Sequence, residues 1–252
     1  MANPALNEKT FSPERTVRVD PGHGGAVGAR VMTIDGTIAR SFMLLAVLIA
    51  TATFGWMSVD QKGDETEFPL WILAPLLVGL GLALITIFRP KASPITAPLY
   101  AAAEGLVLGA ISAVYEAAFE GIVLQAVALT CAVFVLMLFL YTSRRLRATP
   151  RFQMGVIMAT GAIFLVYIFS FVLQIFGIDF PLIHDNGPLG IGISLVIVTV
   201  AALNLIIDFH IIEQGALARA PKYMEWYGGF ALLVTLVWLY LEILRLLGKV
   251  RS

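Results

Sequence analysis

The chain has 252 residues, 59% of them apolar and 13% charged, with a mean hydropathy of +0.87. Water-soluble domains run at about 45–50% apolar and about 25% charged, so the composition points to an integral membrane protein. Lys and Arg (17) balance Asp and Glu (17), which leaves no basic surplus for nucleic acid. One cysteine, Cys131, and three scattered histidines, His23, His184 and His210, make neither a disulfide framework nor a metal-ligand spacing.

In chain order, the first 35 residues are rich in Pro, Gly and charge. They read as a flexible cytoplasmic tail. Gly22, Gly24, Gly25 and Gly28 lie in it without the Lys-Ser/Thr that a phosphate loop needs. No apolar stretch precedes residue 41, so a cleaved signal is not expected and the first helix is expected to direct insertion.

Charge-free gaps then follow at 41–59, 68–88, 121–143, 152–178 and 186–207. Each is long enough, at about 1.5 Å per residue, to cross a hydrocarbon layer of about 30 Å. Residues 97–115, broken only by Glu104, and 226–247, holding Glu242 and Arg245, complete seven predicted helices. Lipid admits helices or closed barrels, and these gaps are too long for barrel strands. Pro69, Pro98 and Pro188 fall where first turns are expected. The fold class is therefore an all-α integral membrane protein over residues 36–248, with 249–252 as a short C-terminal tail.

Lys and Arg divide 13 to 4 between the two sets of flanks, which places the N-terminus in the cytoplasm. A spanning last helix puts its basic end outside. Trp226 and Tyr227 near one end and Trp238 and Tyr240 near the other read as interfacial belts and favour spanning.

Ionisable residues inside a membrane are costly, and so they are the first functional candidates. Glu104 lies about 10 Å into the third stretch, next to Gly105 and Gly109, a small-residue pair that admits a neighbouring helix. Asp208 is late in the sixth stretch and shares a helix face with Asn204. Glu225 opens the seventh, where the helix dipole also favours an acid. Glu242 is followed three residues later by Arg245, the spacing of an ion pair at the outer interface. A short turn between the last two helices matches Asp208 in depth with Glu225. Two acids in low dielectric would share one proton, and Arg89, at the end of the second stretch, could latch onto the ionised form. Arg89 also suits a positive-inside anchor.

The blocks Glu104 to Ser112, NLIIDFHIIEQG (Asn204 to Gly215) and PKYMEWYGGFALLVTLVWLYLEILRLLG (Pro221 to Gly248) resemble the transmembrane Bax inhibitor motif family, in its bacterial Bax inhibitor-1/YccA-like branch. The resemblance implies a seven-helix bundle with helix 7 central, in a bacterial plasma membrane. It also implies a pH-sensitive calcium leak in which two acids on helices 6 and 7 share a proton and an arginine on helix 2 engages one of them. Asp208 matches the acid of helix 6 and Arg89 the arginine. The second acid stays open: Glu242 matches by its Leu-Tyr-Leu motif, Glu225 by depth.

The expected function is a cation leak, for calcium or another cation, gated by protonation. The alternative is a non-conducting membrane partner that modulates a membrane-bound protease or a stress response. No HExxH or GxSxG occurs, so an enzyme is not expected, and neither is a cofactor.

Overall fold

Thr33 starts the first helix by accepting a hydrogen bond from the Gly36 N–H, in the manner of an N-cap. In the computed structural model, residues 31–59, 70–177 and 187–252 are described. They form seven α-helices: α1 Ile34–Met57, α2 Leu73–Phe88, α3 Ser93–Ala118, α4 Ile122–Thr142, α5 Pro150–Ile175, α6 Pro188–Leu217 and α7 Met224–Arg251. Among the described residues there is no strand beyond a single antiparallel bridge, Val31 to Pro221. Pro69, His23, His184, the glycines at 22–28 and nearly all of the expected tail lie outside the described residues.

Six of the seven helices are long and apolar enough to cross a membrane; α2 is shorter. Pro75 explains why. Its ring would meet the carbonyl one turn back, so the α-helix cannot extend far upstream of Leu73. A 3-10 turn, Leu70–Ile72, precedes it instead. Sixteen α-residues give about 24 Å and the 3-10 turn adds about 6 Å.

Helix ends depart from the charge gaps in a consistent way. α1 starts at Ile34 and takes in Asp35 and Arg40; α6 continues ten residues past 207, through Asp208 and Glu213; α7 runs to Arg251, through most of the expected C-terminal tail. A charge ends an apolar run but not a helix, which continues for as long as its backbone is satisfied, and Asp208 within α6 is buried by protein. α3 starts at Ser93, so Pro98 is inside the helix rather than in its first turn. Pro188 does begin α6, and Pro150 begins α5 after the N-cap Thr149.

The chain divides into two compact units, and α6 and α7 contribute residues to both. One comprises the described residues up to Ala118 together with His210–Val234. Here α1 packs on α3 through small residues. A Cβ on Gly105 would overlap Thr51 Oγ1, one on Gly109 would overlap the carbonyl of Ala52, and one on Gly55 would overlap that of Leu106. Such contacts let helix backbones touch, which is how helices associate where no hydrophobic effect operates. Val59, Ile72, Val107, Ala110 and Ala113 form a buried apolar cluster at one end.

The other unit comprises Phe119–Phe209 and Thr235–Ser252. In it Phe209 of α6 packs against Phe134 and Tyr141 of α4, with ring centroids 5.7 and 5.8 Å apart. Helices α3 and α7 are the most enclosed, with 61% of each apolar window buried, against 11% for α4 and α5.

Candidate functional site

Two polar residues of α6, Asn204 and Asp208, stand on one face. Asn204 and Asp208 are four residues apart and are 1% and 0% exposed. The Asn204 Nδ2 donates to Thr160 Oγ1 of α5 and to the carbonyl of Val200, both at 2.8 Å. This leaves its Oδ1 accepting no hydrogen bond among the described residues. A buried amide oxygen one turn from a buried carboxylate is a pair of hard oxygen ligands of the kind that Ca²⁺ takes. Among the described residues no group of three or more His, Cys, Asp or Glu is placed to hold a metal ion.

Glu225 is 1% exposed and serves another helix. Its Oε1 accepts from the Thr33 N–H at 3.0 Å and from Thr33 Oγ1 at 2.9 Å. Lys222 Nζ lies 2.9 Å from the same oxygen. The carboxylate therefore sits at the positive end of α1. It is seated over Gly36, where a Cβ would overlap it. The Met32 N–H donates to the Ala220 carbonyl at 2.7 Å, and the Arg40 guanidinium lies 4.8 Å from the Trp226 ring centroid. The α6–α7 turn thus holds the start of α1 by backbone, charge and ring contacts.

Glu242 is the centre of a second network. Arg245 Nη1 donates to both of its carboxylate oxygens, at 3.1 and 3.0 Å. Tyr167 Oη of α5 donates to Oε1 at 2.8 Å and accepts from Arg245 at 2.7 Å, while Trp238 Nε1 donates at 3.2 Å. The i,i+3 ion pair expected from sequence is present, with the Arg245 side chain 33% exposed and Glu242 only 2% exposed.

The aromatic residues of α7 also differ from expectation. Tyr227 and Tyr240 are buried, Trp226 is engaged by Arg40, and Trp238 by Glu242. The two tyrosines are interior packing groups, whereas Trp226 and Trp238 are half-buried. Tyr227, for example, packs near Phe230, which meets Tyr100 edge-on at 5.0 Å.

Glu104 is half-buried and faces α2, where a Cβ on Gly79 would lie 3.5 Å from its Oε2. Arg89 is exposed. It ends α2 with its N–H donating to Ile85 O, and it precedes Pro90 with a backbone φ of -129° and ψ of 73°, outside the helical region.

Sequence reasoning missed Tyr167, Thr160, Thr33 and Arg40 as partners of these groups. Lys222, at i,i+3 from Glu225, carried a local signal. The others did not, because their partners lie on other helices.

These features define a multi-pass helical membrane protein with carboxylates enclosed by its own helices. A family model described as Bax inhibitor 1 like matches residues 3–252, and the chain belongs to that family. A comparison with curated proteins gave no match.

Proposed function

We propose that the protein is a pH-sensitive leak for cations, calcium foremost, with Asp208 as the group whose proton decides passage. The observation that carries this reading is the enclosed Asn204–Asp208 face of α6, where an amide oxygen without a donor among the described residues lies one turn from a carboxylate. A carboxylate inside a membrane bundle is costly, which makes it the first functional candidate. Two such oxygens with backbone carbonyls make a weak site, which suits release as well as entry.

The second acid is Glu225 or Glu242. Recruiting Glu225 would take it from Thr33 and Lys222; recruiting Glu242 would take it from Arg245. Arg89, exposed at the end of α2, is the proposed latch. Glu104, against α2, is a further proton or cation candidate. We place α7 at the centre of the bundle, in keeping with its burial. The N-terminus is assigned to the cytoplasm on the 13-to-4 division of Lys and Arg, and a bacterial plasma membrane is what the family resemblance implies. Transport in this scheme involves no covalent step, so no enzymatic activity is proposed.

The test is calcium flux into liposomes holding a calcium dye, for wild type and Asp208→Asn, between about pH 6 and 8. Flux that varies with pH in wild type and is flat in the variant supports the leak. Identical, pH-independent traces from the two proteins would discard it. Recovery of a membrane protease by crosslinking in native membranes would then favour the non-conducting role.

A further inference from the structure

We infer that Thr235 of α7 is a third oxygen ligand of the cation site begun by Asn204 and Asp208. This rests on the leak reading and names the group from α7 that the site at rest contains. Two counts along different helices reach the same residue. Tyr167 of α5 donates to Glu242 of α7 at 2.8 Å, and Thr160, seven residues earlier on α5, meets Asn204 of α6. α6 crosses between α5 and α7, so these two run in the same direction. Seven residues back from Glu242 is Thr235, about 10.5 Å along the axis, the same step as from Tyr167 to Thr160. The second count uses Lys249, whose Nζ donates to the Gly190 carbonyl of α6 at 3.2 Å. Asn204 is fourteen residues further along α6, and fourteen residues back from Lys249 on the antiparallel α7 is again Thr235.

Rotation agrees with depth. Seven residues fall only about 20° short of two full turns, so Thr235, Glu242 and Lys249 share the face that the last two turn to α5 and α6. All three are buried, and all belong, with Asn204, Asp208 and Thr160, to the unit of Phe119–Phe209 and Thr235–Ser252. No other Ser or Thr occurs on α7. Glu242 and Glu225 stand about 10.5 and 15 Å along the helix from Thr235, so a hydroxyl rather than a carboxylate is what α7 sets at the level of Asn204. A threonine hydroxyl that donates to a carbonyl of its own helix keeps lone pairs for another partner. The Asn204 Oδ1, which accepts no hydrogen bond among the described residues, is the second neutral oxygen. One carboxylate with two neutral oxygens gives calcium hard ligands at low ligand charge, the combination that weakens its binding.

The full-length protein in detergent is titrated with terbium, a luminescent stand-in for calcium, excited through tryptophan; Trp238 is three residues from Thr235. The emission lost in Asp208→Asn defines the site. Its half-saturation is expected to rise about tenfold in Thr235→Val, which keeps the shape and loses the hydroxyl, and to stay within about twofold of wild type in Thr235→Ser. A threonine that only packs would give the reverse order, since serine leaves a gap and valine does not. Equal half-saturation in wild type and Thr235→Val, a larger rise in Thr235→Ser than in Thr235→Val, or no emission that depends on Asp208 would overturn the inference. Calcium flux into liposomes is read on the same proteins. Flux indifferent to Asp208→Asn discards the leak whatever terbium reports, whereas flux that needs Asp208, with terbium binding unchanged in Thr235→Val, discards Thr235 alone. Should Thr235→Val fail to fold, Thr235→Ala compared with Thr235→Ser decides.

Discussion

Glu225 and Thr33 are 192 residues apart in sequence, and the carboxylate of one closes the first turn of the helix begun by the other. An acid that would ordinarily stabilise its own helix N-terminus is turned to α1. The start of α1 and the α6–α7 turn are thereby one structural piece.

Removing that carboxylate should loosen the start of α1. Glu225→Ala is expected to lower stability by about 2–3 kcal/mol, since two donors lose a charged acceptor, and Glu225→Gln by about 1 kcal/mol, because an amide oxygen can still accept from Thr33. Gly36→Ala puts a methyl group where the carboxylate lies, so its cost should overlap with that of Glu225→Ala rather than add to it. Thermal unfolding in detergent of the two single variants and the double variant measures this. Strict additivity would show that the two positions do not share a contact.

The Glu242 network should be worth more whole than in part. Arg245→Met leaves a buried carboxylate without its cation and is expected to cost about 3–5 kcal/mol. Replacing both partners, Glu242→Leu with Arg245→Met, should recover most of that loss, because the desolvation of two charges also disappears. Tyr167→Phe removes one donor to the pair and should cost about 1–3 kcal/mol. The same unfolding assay reads all three.

Asn204 offers a way to separate fold from ion passage. Thr160→Val removes the acceptor of the Asn204 amide but keeps its oxygen. It should cost about 1–2 kcal/mol in stability and leave calcium flux unchanged. Asn204→Leu removes the oxygen as well, and flux should fall several-fold further than the matching stability loss explains. Equal flux in the two variants would take Asn204 out of the ion path.

The small residues between α1 and α3 should be intolerant of growth. Gly109→Ala and Gly105→Ala force backbones apart and should cost about 1–3 kcal/mol each. Gly155→Ala and Gly161→Ala on α5 meet nothing within 4 Å and should be neutral or stabilising by up to about 1 kcal/mol. Unfolding temperatures of the four variants, compared side by side, test the contrast.

Much of the architecture is legible along the chain. Apolar run length gives the seven helices, and Gly105 and Gly109 mark a helix-contact face. The spacing of Glu242 and Arg245 gives their ion pair, and the positions of Asn204 and Asp208 give a shared polar face. Each of these depends on residues within a turn or two of one another, where helix geometry is fixed. Helix ends were less legible, because charge gaps report the hydrocarbon layer and not the hydrogen-bonded length of a helix. α6 shows this most clearly, continuing to Leu217.

What the sequence determined by itself was the class of protein and where its helices lie, since the cost of charge in hydrocarbon is a local property of composition. Only the tertiary structure decided that Glu225 serves Thr33, that Tyr167 joins Glu242, and that Tyr227 and Tyr240 are interior. Helices apolar on nearly every side carry no marked face to announce their rotation or depth against a neighbour. Those are set by close packing of small residues and by polar groups finding partners 75 or 192 residues away.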